Sequence, residues 1–169
     1  MNFIYDDESG RSERYVALGR LGQGSFGEVR MGADTFTGKS VALKYVRILS
    51  QEKGGIPRAV FRELESLKQL RDSDYVAQLL DYFPEESNLC LVMEYLPTDL
   101  QEVLQKATCP LSTSQVKAFA HMLLSALSYC HSKRIIHRDI KPASKLNYSP
   151  SHYQHTSHSI VEERLRFSS

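Results

Sequence analysis

Cysteine, excess charge of either sign and long apolar runs are all scarce in this sequence. Its three cysteines, Cys90, Cys109 and Cys130, are odd in number and far apart, without any Cys-x-x-Cys spacing. They therefore indicate neither a disulfide framework nor a zinc site, and a reducing intracellular environment fits best. The formal net charge of +1 gives no sign of binding to nucleic acid or to an acidic membrane surface.

No stretch reaches the ~18 apolar residues that a membrane-spanning helix needs, and the first ten residues are polar and acidic, unlike a secretory signal. A length of 169 residues allows one domain, or part of one. The sequence thus predicts a soluble protein with neither a nucleic acid nor a membrane as partner. What it contains in place of these features is a set of ordered motifs.

The first motif is a glycine cluster formed by Gly22, Gly24 and Gly27. Alone, this G-x-G-x-x-G spacing is weak evidence, since a glycine-rich turn without a ligand can produce it. A dinucleotide-binding version should lead into a helix, whereas residues 28–33 alternate like a strand. The order of strand, glycine flap and strand, followed by a turn and a third strand at 40–46, favours a flap that covers a nucleotide.

The third strand carries one charged residue, Lys44, on the same face as Ala42 and Val46. It could lie on an exposed edge strand, or it could need an acidic partner because a charge is costly to bury alone. Pro57 opens a segment with helical apolar spacing that contains Glu63. Glu63 could be an ordinary solvated helix residue, or it could turn inward toward Lys44.

Two apolar runs, 76–83 and 89–96, predict a hairpin of buried strands joined by residues 84–88. After a break at Pro97, residues 99–105 predict a short helix. Ser112 and Gln115 have capping-box spacing ahead of the strongest helical pattern in the chain, at 114–131. We expect the apolar positions of that helix to be core, and His121 and His131 to be surface or structural residues.

The last motif is a loop in which Asp139 follows His137 and Arg138, with Lys141 two places further on. Together with the glycine flap, the Val-Ala-Leu-Lys strand ending at Lys44, and Glu63, it occurs in the order that characterises eukaryotic protein kinases. Four ordered signatures are far more specific than any one of them. Between residues 15 and 142 the sequence therefore resembles a protein kinase domain.

The resemblance implies an α+β, protein-kinase-like fold. It would comprise a small lobe at 15–96, with five antiparallel strands and one regulatory helix, and the first helices of an incomplete helical lobe at 97–142. We expect residues 1–14 to be a flexible lead-in and residues 143–169 to be a divergent, disordered tail.

The resemblance also implies roles for individual residues. Lys44, held by Glu63, would bind the α- and β-phosphates of ATP; Asp139 would accept the proton of a Ser or Thr hydroxyl, and Lys141 would steady the transferred phosphate. Contacts to the nucleotide would come from residues of the small lobe and the segment that follows it: Leu21, Gly22, Gly24, Gly27, Val29, Ala42, Lys44, Met93, Glu94 and Leu96.

Within the kinases, residues 55–63 match the cyclin-contacting helix of the cyclin-dependent kinases, and other segments look most like the cell-cycle-related kinase branch. This resemblance implies a cyclin or other activator at 57–67, protein substrates that include other kinases, and a location in nucleus, cytoplasm and cilium. Phe26 stands where many cyclin-dependent kinases have an inhibitory Tyr, although Ser25 remains available for phosphorylation.

The sequence departs from the family after Ala143. Ser144 stands where the family has a magnesium-binding Asn, and neither Asp-Phe-Gly nor Ala-Pro-Glu occurs in the chain. Mg²⁺ is therefore expected for a full-length member while no metal ligand is assigned here. We interpret the departure as alternative splicing or a gene-model error, which mapping of the messenger across that codon would test.

The departure has two expected consequences. This chain should be inactive, with a non-catalytic nucleotide- or partner-binding fragment as the alternative role. It should also be weakly stable, because the apolar positions of its long helix lack neighbours. The spaced histidines of the tail could suggest a metal site, but a disordered end is the simpler interpretation.

Overall fold

The computed structural model describes residues 11–24, 27–48, 57–143 and 145–146. The chain divides into two compact units, the first formed by Met1–Lys68 with Leu79–Tyr95 and the second by Gln69–Gln78 with Leu96–Ser169. Among the described residues no helix is both long and apolar enough to cross a membrane.

The first unit is built on one antiparallel sheet of five strands in the order β1-β2-β3-β5-β4. A single helical turn, α1, precedes it, and a longer helix, α2, follows the third strand. The elements are α1 (Arg11–Arg14), β1 (Tyr15–Gly24), β2 (Gly27–Asp34), β3 (Ser40–Arg47), α2 (Arg58–Gln69), β4 (Leu79–Glu85) and β5 (Asn88–Glu94). The predicted small lobe of five antiparallel strands, with a helix after the third strand, is confirmed.

The central strand β3 is largely buried in the core of the first unit. Its pattern of buried residues is nearly continuous, because side chains on both faces are covered. One face contributes to a compact cluster in which the ring of Tyr15 stacks on Phe83 at 5.9 Å between centroids. The buried members of this cluster are Tyr15, Val41, Leu43, Phe83, Cys90 and Val92.

The edges of the sheet differ from the centre. β1 forms one edge, and its pairing with β2 shifts register twice, between Ala17 and Gly19 and between Arg20 and Gly22. β4 forms the other edge and contains Pro84, which was predicted to lie in the loop. Proline is tolerated there because an edge strand does not need every N–H for pairing. The β4–β5 turn is correspondingly tight, and Glu86 adopts a left-handed conformation with φ 52°.

The second unit is helical. It contains α3 (Leu100–Lys106) and α4 (Thr113–Ser132), and a two-residue ladder joins β6 (Thr98–Asp99) to β7 (Lys145–Leu146). Asp99 caps α3, while Ser112 and Gln115 form the predicted capping box at the start of α4. The core of this unit consists of apolar residues from α4 and the 69–78 segment: Leu70, Val76, Phe119, Met122, Ala126 and Cys130.

Two described elements lie outside the predicted bounds of the kinase-like region. Residues 11–14 of the expected lead-in form α1, and β7 lies within the expected divergent tail, beyond the predicted end of the kinase-like region. The remainder of the tail, residues 147–169, and residues 1–10 lie outside the described part of the chain. The prediction that these stretches are disordered stays a prediction.

Candidate active site

Four of the predicted nucleotide-binding residues share one face of the sheet in the first unit. Val29 of β2 lies directly opposite Lys44 of β3, and Ala42 lies opposite Met93 of β5. Partners in an antiparallel ladder point to the same face, as do residues two apart in one strand. The register therefore gathers Val29, Ala42, Lys44 and Met93 on a common surface.

Lys44 is held by an ion pair on this surface. Its Nζ donates to Oε1 of Glu63 at 2.7 Å. The two side chains are only 15% and 23% exposed, so each charge would be costly without the other. Helix α2 places Glu63 next to the buried Leu64, whose packing fixes the face that the helix turns to the sheet. The predicted pairing of Lys44 with Glu63 is thus observed, and Glu63 is not merely a solvated helix residue.

The glycine flap spans the end of β1 and the start of β2. Gly24 and Gly27 are the last paired residues of the two strands, and the intervening Ser25 and Phe26 lie outside the described residues. At Gly27, φ is 149°, and an added Cβ would lie 1.7 Å from the carbonyl oxygen of Tyr45. The close approach of β2 to β3 therefore requires glycine at this position.

The loop that follows α4 lies within the second unit. The helix ends as the N–H of Lys133 donates to the carbonyls of Tyr129 and Cys130, and the N–H of Ile135 donates to Cys130 as well. Arg134 adopts a left-handed φ of 59° at this turn. Further on, the N–H of Gln101 in α3 donates to the carbonyl of Pro142 at 2.8 Å. Both ends of the loop are therefore anchored to helices of the same unit.

Within this loop two side chains contact Asp139. Its carboxylate accepts a hydrogen bond from Nζ of Lys141 at 2.7 Å, and its backbone N–H donates to Nδ1 of His137 at 3.0 Å. Arg138 between them has φ 71°, a strained conformation for a residue with a side chain. The Asp139 side chain stays 44% exposed, which leaves it accessible to a hydroxyl group.

His137 positions Asp139 rather than facing solvent. Burial lowers the pKa of the imidazole, so the ring stays neutral near neutral pH. A neutral ring is required here, since Nδ1 must accept the Asp139 N–H. The sequence motif included His137 but assigned it no role. Its position two residues before Asp139 was the indication, available from the sequence, that the two residues could be in contact.

The other predicted nucleotide contacts lie in different settings. Leu21 is exposed on β1, and Glu94 is half-buried at the end of β5. Leu96, which is buried, belongs to the second unit.

The described residues contain no cluster of three or more His, Cys, Asp or Glu side chains suited to a metal ion. Ser144 lies outside the described part, and its hydroxyl is a weaker magnesium ligand than the amide oxygen of an Asn. The described residues therefore do not fit a magnesium centre.

Comparison with known proteins agrees with this geometry. Residues 15–147 match the protein kinase domain family. Cyclin-dependent kinase 20 of Danio rerio is 41% identical over 140 residues, which are 83% of this chain and 40% of the relative. The same-named protein of Homo sapiens is 40% identical over 79% of this chain and 38% of its own length. Cyclin-dependent kinase D-1 of Arabidopsis thaliana is 39% identical over 80% of the chain and 33% of its own length.

The chain thus spans two fifths or less of the length of these three relatives. The predicted resemblance to cyclin-dependent kinases is confirmed, as is the kinase-like fold. The family match extends to residue 147, so it includes β7 as well as the Asp139 loop. This chain belongs to the protein kinase domain family.

Proposed function

We propose that the chain carries part of a serine/threonine protein kinase of the cyclin-dependent type. The full-length form would transfer the γ-phosphoryl group of ATP to a Ser or Thr hydroxyl of a protein substrate. The observation that supports this most is the Lys44–Glu63 pair at 2.7 Å. An ion pair with only a structural role could equally lie on an exposed surface. This pair is largely buried beside Ala42 and Val29, as a phosphate-binding lysine requires.

In this proposal Lys44 neutralises charge on the α- and β-phosphates, and Glu63 fixes the direction of the Lys44 ammonium group. Asp139 accepts the proton of the attacking hydroxyl as the O–P bond forms, and the leaving group is ADP. Lys141, paired with Asp139 at 2.7 Å, is the cation that would meet the transferred phosphoryl group. His137 holds the backbone of Asp139 and touches neither substrate.

We further propose that this chain alone does not catalyse transfer. Phosphoryl transfer depends on metal ions that neutralise the β- and γ-phosphates, and the sequence lacks both the Asn and the Asp-Phe-Gly that hold them in the family. A non-catalytic fragment that binds a nucleotide or a partner is the alternative role.

A phosphate-transfer assay with radiolabelled ATP tests the catalytic half of this proposal. The chain and its Asp139→Asn variant are expected to give the same background signal with a Ser/Thr-rich protein substrate. Turnover by the unmodified chain that disappears in Asp139→Asn would contradict the proposed inactivity.

Titration with a fluorescent ATP analogue tests nucleotide binding separately. Lys44→Met is expected to weaken binding about tenfold or more, which corresponds to a loss of about 1.4 kcal/mol. Lys68→Met is the matched control, because Lys68 pairs with Glu65 at 3.1 Å in the same unit. If the unmodified chain does not bind the analogue, a partner-binding role remains and the nucleotide role is overturned.

A protein activator is proposed for the outward face of α2. Arg58, Phe61 and Arg62 are all exposed there, and Phe61 is 41% exposed despite its large apolar ring. Aromatic and Arg side chains are the common anchors of protein interfaces. The resemblance points to a cyclin; pull-down of purified cyclins by the chain but not by Phe61→Ser would support this, and equal capture by both would contradict it.

The substrates and the cellular location rest on the resemblance alone. We propose protein substrates, other kinases among them, and a distribution over nucleus, cytoplasm and cilium. Imaging of the tagged chain in ciliated cells tests the location, and exclusion from all three compartments would contradict it.

A further inference from the structure

An apolar groove runs along one face of the second unit. It encloses about 370 Å³ and is bordered by α3, α4 and the end of the Asp139 loop. Val116 and Ile140, which line it, are 52% and 44% exposed. A groove of this composition is expected to be covered, since contiguous exposed apolar surface favours association. Its other apolar lining includes Leu104, Phe119 and Leu123.

We propose that residues 160–167 of the same chain occupy this groove. Residues 147–169 contain only four Ile, Val, Leu or Phe residues, and all four fall between Ile160 and Phe167. At 100° per residue in a helix, Ile160, Val161, Leu165 and Phe167 would lie within an arc of about 160°, and Arg164 would lie inside the same arc. Such a helix would present these four apolar side chains to the groove, where Arg164 could lay its aliphatic stem along the apolar surface with its charged end in water, while Glu162 and Glu163 face away.

The described ladder brings the tail to the groove. Lys145 of β7 pairs with Asp99 of β6, and the next residue after Asp99 is Leu100, which lines the groove. The N–H of Gln101 also binds the carbonyl of Pro142, another lining residue. The tail therefore begins at the border of the groove and not at a distant surface.

The lengths are compatible. Residues 147–159 can span up to about 45 Å when extended, which is ample to reach any part of one face of this unit. Val116 and Leu123 are about 10 Å apart along α4, and Ile160 and Phe167 would be separated by the same distance in a helix. The apolar segment and the groove thus match in extent.

Tethering favours the chain's own tail over a second copy. A segment tethered to the groove through residues 147–159 would have an effective concentration in the millimolar range. At micromolar protein, the same segment of another molecule is about a thousandfold more dilute. The proposal concerns the fold of the second unit and does not depend on the proposed kinase activity.

Site-specific photo-crosslinking of the full chain tests the proposal. Benzoylphenylalanine is introduced at Val116 in the groove, and in a separate control at Leu124, which lies on the same helix, is 65% exposed and does not line the groove. Equal amounts of ¹⁴N- and ¹⁵N-labelled protein are mixed before irradiation, so that mass spectrometry separates crosslinks within one molecule from crosslinks between two.

The expected result is an intramolecular crosslink from position 116 to the peptide that contains 160–167, at least fivefold more abundant than from position 124. Leu165→Asp should abolish most of it, whereas Arg166→Asp, which changes the polar side, should not. Mixed-isotope crosslinks would assign the groove to a second copy, and crosslinks to a copurifying protein would assign it to a partner. Either result, or no crosslink above that from position 124, would overturn the proposal.

Discussion

Gly22 and Gly27 belong to the same flap but have different surroundings. An added Cβ at Gly22 would meet no atom within 4 Å, whereas at Gly27 it would meet the backbone of Tyr45. The motif alone gives both glycines the same role of covering phosphates. The structure separates them, because Gly27 is also required by the packing of two strands.

This difference predicts unequal losses of stability for two alanine variants. Gly27→Ala should lower the free energy of unfolding by about 1–3 kcal/mol, the usual cost of a strained backbone position. Gly22→Ala should change it by less than about 0.5 kcal/mol. Urea unfolding followed by circular dichroism measures the free energy of unfolding of both variants. Equal destabilisation would contradict the prediction, because it would show that the backbone near Tyr45 makes room for the added Cβ without an energetic cost.

The β2–β3 connection shows how one carboxylate organises an element. Asp34 ends β2 and accepts hydrogen bonds from Nε and Nη2 of Arg14 at 2.9 and 2.7 Å. It also accepts from Thr37 Oγ1 and from the N–H of Phe36. The Arg14 guanidinium and these donors hold the pKa of Asp34 well below its usual range. One buried side chain thus ties α1 and the turn to the sheet.

The lowered pKa of Asp34 gives a pH dependence of defined sign. The stabilisation is complete above the usual Asp pKa near 4 and is lost as pH falls below it toward the folded-state pKa. Asp34→Asn should therefore lower Tm at pH of about 7, and the gap from the unmodified chain should narrow toward pH of about 3. Scanning fluorimetry over this range measures it. Asp72→Asn, at an exposed position, is the control and should give no such gap.

The same elements show what the sequence could predict. Alternation and glycine spacing predicted β1 to β3, and the capping box predicted α4, because these signals are local. The boundaries of β4 were less accurate, since Pro84 is permitted only by the position of that strand at the edge of the sheet. The Arg14–Asp34 pair was not predicted, because its partners are twenty residues apart and neither belongs to a motif.

The candidate site was predictable to a different degree. Lys44 and Glu63 could be paired in advance because the motifs of a known family assign them to each other. The role of His137 as an acceptor for the Asp139 N–H could not, since it depends on the left-handed turn at Arg138. A left-handed backbone conformation is difficult to predict from the sequence when the residue that adopts it is not glycine.

For the molecule as a whole, both units have cores, but the second carries a half-exposed apolar groove. We therefore expect weak stability, and docking of residues 160–167 would compensate only in part. Calorimetry should give a broad transition with an unfolding enthalpy well under the ~0.7 kcal/mol per residue typical near 60 °C. A sharp transition with the full enthalpy in the purified monomer would contradict this.

The two register shifts in β1 bear on how such a chain would self-associate. A strand of ten residues at the edge of a sheet offers a template to which a strand from another molecule can add. Each shift interrupts the regular spacing of backbone donors and acceptors and increases the local twist, so the outer edge presents no long straight row for an incoming strand. Growth of the sheet from the β1 edge is therefore disfavoured, and association of this chain through apolar helix surfaces is expected instead.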